Sequence, residues 1–123
     1  MRAIVDSDVL IDYLQGLEQA RKELDRYSKR EISIISWMEI MAGADSPEDE
    51  KNCNEFLSTF IIHQTSLEIA AEAVKVRRRF RLRLPDAMVW ATARIQSCLL
   101  VTRNTKDFPI QEPGVRIPYS LAS

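Results

Sequence analysis

Ala3-Ile4-Val5-Asp6-Ser7-Asp8-Val9-Leu10-Ile11 opens the chain with an apolar run that stops at an acid, followed at once by apolar residues of a different period. Arg2–Asp6 reads as a short buried strand, and Asp8–Leu14 as a helix that ends at Gly16. The succession then recurs down the chain. Leu17, Ala20, Leu24 and Tyr27 form the stripe of an amphipathic helix, and Ile32–Ile35 reads as a second strand. Ser36-Trp37-Met38-Glu39 has the S-x-x-E form of a capping box opening a helix that stops near Gly43. Ser46-Pro47 matches an N-cap with proline at the first helical position, and Cys53, Phe56, Leu57 and Phe60 line one face of the helix it opens. Phe60–His63 is a third strand. Ser66 caps a long helix with Leu67, Ala70, Ala71 and Val74 on its apolar face, and Pro85 starts another with Ala87, Val89, Trp90, Ala91 and Ala93 toward the core. Leu99–Thr102 is a fourth strand and Val115–Ile117 a short fifth.

Strands alternating with helices predict an α/β fold: a central parallel sheet of four or five strands with helices on both faces, since parallel neighbours need crossovers long enough to hold a helix. The 123 residues fit one domain spanning 1–123. Ligands on such sheets bind beyond the carboxyl ends of the strands, where Asp6, Ser36 and Thr102-Arg103-Asn104 fall.

Composition narrows the function. With 46% hydrophobic and 28% charged residues and only three glycines, the chain is globular rather than disordered. No apolar run approaches the roughly 18 residues of a membrane span, and no signal-peptide core follows Met1-Arg2, so the expected compartment is the cytoplasm. Cys53 and Cys98 have no C-x-x-C partner and read as reduced, packed thiols. His63 is the only histidine, which supports neither a zinc cluster nor a Ser-His-Asp relay. Net charge is −1, yet Lys75, Arg77, Arg78, Arg79, Arg81 and Arg83 crowd into nine positions. That run is open to two readings, a solvated helix face or a phosphate-contacting patch.

Taken singly, the acids carry little. Asp6 could serve only as an anion near a helix N-terminus, a placement worth roughly 0.3–1 kcal/mol. Asp8 suits the first helical turn, and Asp12, one turn on, reads as solvated. Glu39 could close its capping box, and Asp86 stands in a first turn after Pro85. Together, Asp6, Glu39 and Asp86 come from three segments, each at or near a helix start. If those starts share one end of the sheet, three carboxylates converge, an arrangement tolerable mainly around a cation. Hard oxygen donors without cysteine or histidine nearby favour Mg²⁺ or Mn²⁺.

Four stretches carry a family resemblance: Ala3–Ile11; Ser36-Trp37-Met38-Glu39; Leu82-Arg83-Leu84-Pro85-Asp86-Ala87 with Ala91-Thr92-Ala93; and Leu100-Val101-Thr102-Arg103-Asn104-Thr105-Lys106-Asp107-Phe108. In this order they resemble the four signatures of VapC-type PIN domains, the ribonuclease toxins of bacterial toxin–antitoxin pairs, and they span the chain as a single PIN-like domain. The resemblance implies an endoribonuclease with Mg²⁺ or Mn²⁺ held by Asp6, Glu39 and Asp86, plus a polar or acidic residue after the fourth strand. Asn104 is nearest the strand end and Asp107 is the available acid, so both stay candidates. The chemistry expected of such a site is metal-assisted hydrolysis that requires no 2′-hydroxyl nucleophile, with Glu39 orienting or deprotonating the attacking water, and Thr102 and Asn104 holding a phosphate oxygen or a metal-bound water. Arg103, Arg79, Arg81 and Arg83 would neutralise RNA charge. A cognate antitoxin and a toxin homodimer complete the expected partners, with Tyr13, Trp37, Met38, Met41 and Phe56 available to a partner groove or to the core.

Two enzyme-like alternatives fail on the residues. Asp6-Ser7-Asp8 matches the D-x-D of haloacid-dehalogenase-type phosphatases, but chain length and downstream spacing do not fit. A receiver domain would need an aspartate after the third strand, where His63-Gln64-Thr65 stand. A catalytically silent PIN-like module that binds RNA or protein is the remaining alternative, against which the three retained acids argue.

Overall fold

In the computed structural model, which describes residues 1–121, the five strands form one wholly parallel sheet in the order β3-β2-β1-β4-β5. Positions 122 and 123 of the expected domain lie outside the described residues. The strands are β1 (Ala3–Val5), β2 (Glu31–Ser33), β3 (Ile61–His63), β4 (Leu99–Val101) and β5 (Val115–Arg116). The helices are α1 (Ser7–Leu14), α2 (Glu18–Asp25), α3 (Ile34–Ala42), α4 (Pro47–Leu57), α5 (Leu67–Phe80) and α6 (Leu84–Ile95). The α/β class and the parallel sheet are as the sequence predicts, and the fifth strand forms as a two-residue piece.

Period-two alternation sends neighbouring strand residues to opposite faces. Ile4 and Leu100 join Ile69, Ala73, Val76, Ala87, Val89 and Trp90 on the α5–α6 side, whereas Val5 and Val101 join Val9, Leu10, Leu24 and Leu57 on the side of α1, α2 and α4. Trp90 is 1% exposed and meets Phe108 edge-on, with ring centroids 6.0 Å apart. That contact ties the loop after β4 to the core. Both cysteines are free thiols, Cys98 buried and Cys53 half-buried.

Topology places the site. From β1 the chain steps outward to β2 and β3, then returns to pair β4 on the other side of β1, with Val5 opposite Val101. The direction of winding therefore reverses between β1 and β4, and their carboxyl ends open a crevice there.

Three local expectations are corrected. The second strand stops at Ser33, because the Ser33 hydroxyl caps α3 by accepting from the Ile35 N–H at 3.1 Å. Ile34 and Ile35 become the first turn of a helix, despite their strand propensity, since Ile35 is then buried under the sheet. The Ser36–Glu39 capping box consequently does not form, and Ser36 sits inside the helix, fully buried. On α5 the buried stripe is Ile69, Ala73 and Val76; of the expected face, Leu67 is 86% exposed and Val74 also faces outward. Both stripes have helical spacing, and burial against α6 selects the one carrying the β-branched residues. The helix of Pro85 starts at Leu84, with Arg83 at its N-cap position.

Glu31, 1% exposed on β2, receives Arg2 Nε at 3.0 Å and Nη2 at 2.6 Å, with His63 Nε2 at 2.8 Å. The Arg2 hydrogen bonds hold its carboxyl below the usual range against the effect of burial. A depressed folded-state pKa gives stability that is complete above the unfolded glutamate value, about 4.3, and is lost as pH falls through the lower folded value.

Unfolding experiments test both anchors. Trp90→Ala should cost about 3–5 kcal/mol in urea unfolding, and a loss below about 1 kcal/mol would mean that the loop after β4 is not anchored through this ring. The stability difference between wild type and Glu31→Gln should shrink as pH is lowered from 6 to 3. A gap that stays constant would show that the Arg2–Glu31 pair is not the source.

Candidate active site

Asp6 follows β1 directly and is the N-cap of α1, its Oδ1 accepting from the Ser7 N–H at 2.8 Å. Its Oδ2 accepts from the Thr102 hydroxyl at 2.8 Å, across the crevice from the end of β4. The side chain is 6% exposed. Burial pushes its carboxyl well above the usual range, the Asp8 charge adds to the rise, and the hydrogen bonds from Thr102 and Ser7 only partly offset it.

Asp8 lies one residue into α1 and turns toward the same hydroxyl, Thr102 Oγ1, at 3.3 Å. Its Oδ2 also accepts from the Arg103 N–H at 3.1 Å. Oδ1 is buried and has no hydrogen-bond partner among the described residues. The carboxyl is raised chiefly by burial. A hydroxyl has one hydrogen, so Thr102 serves Asp6 and Asp8 alternately rather than together.

Glu39 is exposed on α3 and reaches the site rather than its own helix cap: Ser7 Oγ donates to its Oε1 at 3.1 Å. Burial of its carboxyl raises it, Ser7 opposes, and Asp86 and Asp8 add to the rise. Asp86, in the first turn of α6, is raised by burial against the pull of Arg83, with Asp107 adding. Arg83 Nε lies 3.4 Å from Asp86 Oδ2, and its Nη2 lies 3.8 Å from Asp107 Oδ2.

The structure thus brings Asp6, Glu39 and Asp86 into one electrostatic neighbourhood and adds Asp8, which the sequence pattern alone leaves in a helix turn. The missed signal is spacing. A side chain in the first turn of a helix leans back toward its N-terminus, so an acid two residues after a strand-end acid shares its crevice. The candidates after β4 behave differently. Asn104 and Asp107 hydrogen-bond to each other, Asn104 Nδ2 donating to Asp107 Oδ2 at 2.9 Å and the Asp107 N–H to Asn104 Oδ1 at 3.1 Å.

Asp12 and Arg103 are corrected together. Asp12 is 5% exposed instead of solvated, gripped by Arg103 Nε at 2.7 Å and Nη2 at 3.1 Å and by the Tyr119 hydroxyl at 2.8 Å. Arg103 is therefore engaged with α1 through Nε and Nη2. Thr102 is fully buried, so its hydroxyl orients carboxylates rather than meeting a phosphate. Of the other expected basic residues, Arg79 lies over the Phe80 ring at 4.8 Å, Arg81 caps α5 in the left-handed region at φ 56°, and Arg83 stands at the acids.

Among the described residues no three carboxylate, imidazole or thiolate groups are already gathered at metal-ligand spacing. The donor chemistry nevertheless suits a hard divalent cation: carboxylate oxygens from α1, α3 and α6, no nitrogen or sulfur ligand, and one buried carboxylate oxygen without a donor. Four carboxyls are raised by burial, three of them also by neighbouring carboxylates, the state that a cation reverses.

Known proteins share the sequence pattern and the fold. Residues 3–110 match the PIN domain family. Ribonuclease VapC10 of Mycobacterium tuberculosis is 33% identical over 117 residues, covering 89% of this chain and 87% of that protein. Among solved structures, a chain of a toxin–antitoxin complex from Klebsiella pneumoniae superposes with a TM-score of 0.91 at 41% identity, covering 97% of this chain and 99% of the other. A chain of VapBC2 from Rickettsia felis, bound to a DNA fragment from its promoter, superposes at 0.81 with 16% identity, covering 99% and 100%, which is agreement in fold. With the acids at the β1–β4 crevice and this relationship along nearly its whole length, the chain belongs to the PIN-domain family, in its VapC-type branch.

Proposed function

We propose that this chain is the ribonuclease toxin of a toxin–antitoxin pair, acting as one PIN-like domain over 1–123 in the cytoplasm, where its RNA lies. It hydrolyses phosphodiester bonds of single-stranded or structured RNA with Mg²⁺ or Mn²⁺. The observation that carries the reading is that Asp6, Glu39 and Asp86, from the starts of α1 and α6 and from α3, lie within electrostatic reach of one another, with Asp6 seated on the buried Thr102 hydroxyl. Asp6, Asp86 and Glu39 would hold the ion, whose charge lowers the pKa of water and stabilises the leaving oxygen.

The protein groups divide the remaining work. Asp6 is held at both oxygens by Ser7 and Thr102, so it is a rigid ligand. Glu39 is the exposed acid with a raised carboxyl, suited to take a proton from the attacking water, and the Ser7 hydroxyl fixes its orientation. Arg79, Arg81 and Arg83 line the approach from the α5–α6 connection and would neutralise RNA phosphates. Asn104 and Asp107 shape the loop between them.

Partner surfaces extend the proposal. A groove of about 350 Å³ runs beside Glu39, lined by Ile11, Leu14, Ile40 and Cys53. Its apolar lining suits an antitoxin segment that also covers the acids. Tyr13 and Phe56 stack on one another at 4.8 Å and pack with Trp37 and Met41 against the core, leaving Met38 outward. The outward apolar stripe of α5, Leu67 and Val74, is the surface we assign to a second copy of the chain.

Asp86→Asn should lower cleavage of total RNA in Mn²⁺ on the order of 100-fold or more and abolish growth arrest on expression. Intact RNA from a folded, Mn²⁺-supplied wild type that still binds RNA would replace the enzyme with the binding-module reading. In light scattering at tens of micromolar the wild type should have twice the mass of one chain, and Leu67→Asp with Val74→Asp should halve it. A monomeric wild type removes the dimer.

A further inference from the structure

Of the candidates after β4, Asn104 and Asp107 hydrogen-bond to one another, and Asp107 turns toward Arg83 beside Asp86. The polar groups at the end of β4 instead point to α1. The Thr102 hydroxyl and the Arg103 N–H both address Asp8 Oδ2, at 3.3 and 3.1 Å. One turn further along the same helix face, the Arg103 guanidinium grips Asp12 with two hydrogen bonds, reinforced by Tyr119. The segment after β4 is thus fastened to α1 at two levels, and the upper one fixes Asp8.

That fastening leaves an uneven carboxylate. Asp8 Oδ2 accepts from the Arg103 N–H and, in alternation with Asp6, from the Thr102 hydroxyl, whereas Oδ1 is buried with no hydrogen-bond partner among the described residues. A buried carboxylate oxygen without a hydrogen bond is costly, and structures rarely keep one without a compensating proton, water or cation. A helix-dipole role alone would let Asp8 turn outward into water, where the benefit at a first turn is retained. Its inward orientation, sharing a hydroxyl with Asp6, calls for a ligand.

We propose that Asp8 is the fourth carboxylate of the metal site, with Oδ1 as its ligand atom, and that the Arg103–Asp12–Tyr119 clamp is what holds it in place. The inference rests on the metal-dependent nuclease reading and reassigns the ligand that the sequence seeks in Asn104 or Asp107.

Mn²⁺ alone, without RNA, tests it. The free-ion paramagnetic resonance signal is titrated with wild type, Asp8→Asn and Asp86→Asn, and thermal unfolding of each metal-free protein is recorded. In Asp8→Asn the amide oxygen still accepts from Thr102 and Arg103, so the fold is kept. The expected result is Mn²⁺ affinity lowered about tenfold or more and a metal-free melting temperature equal to wild type or higher, since a repulsive charge beside Asp6 has gone. If Asp86→Asn weakens binding while Asp8→Asn stays within a factor of two of wild type, the Asp8 assignment is overturned and the nuclease reading stands. If neither variant changes Mn²⁺ binding, both fall. A metal-free melting temperature lowered in Asp8→Asn with unchanged affinity assigns the residue to helix stability instead.

Discussion

The Thr102 hydroxyl, at the end of β4, reaches two acids that follow β1 and repel each other. It donates to Asp6 at 2.8 Å, lies 3.3 Å from Asp8, and accepts from the Asn104 N–H at 3.1 Å, all at zero exposure. Because β1 and β4 pair in register, Val5 opposite Val101, the next residue of each strand is forced beside the other. The polar group at the end of β4 then has to be one that can donate to a carboxylate while accepting from backbone. A hydroxyl does both; an aspartate at position 102 would add a charge to an already crowded site. The rest of the site depends on this junction, since α1 starts at Asp6 and the loop after Thr102 must fold back over α1.

That loop is where structure and chemistry are most tightly linked. Phe108 packs on Trp90 under the sheet, Asn104 and Asp107 close the turn between them, and Arg103 reaches Asp12 on the other face. The loop therefore has anchors on both faces of the sheet, and its polar side chains hold it there. A buried ion pair such as Arg103–Asp12 contributes little net stability compared with apolar packing, because desolvation offsets attraction. Its value lies in register: it admits one placement of the Arg103 backbone, and hence of its N–H toward Asp8.

The fold is legible in the sequence because its determinants are local. Short apolar runs alternating with amphipathic segments imply crossovers, and crossovers imply parallel strands. Asp6 and Asp86 are legible for the same reason, each marked by a strand end or a proline at a helix start. Where periodicity permits two answers, as on α5, only the position of α6 decides between Leu67–Val74 and Ile69–Val76. At Ser33 and Ser36 two serines compete to cap one helix, and the burial of Ile35 decides for the earlier one. Asp12 reads as solvated because its partners, Arg103 and Tyr119, are 91 and 107 residues away in sequence. Long-range polar pairing leaves no trace in local pattern.

Electrostatics divide the acids among different donors. Glu39 leans to Ser7, Asp86 and Asp107 share Arg83, and Asp6 shelters behind Thr102, so the acids are drawn to different donors. Arg83 is held by two exposed-side contacts at 3.4 and 3.8 Å and is itself largely solvated, so releasing it costs little. The site is accordingly stiff on the β1–β4 side and adjustable on the α6 side. Asp6 and Asp8 are therefore fixed in place, whereas Asp86 and Arg83 have freedom to adjust.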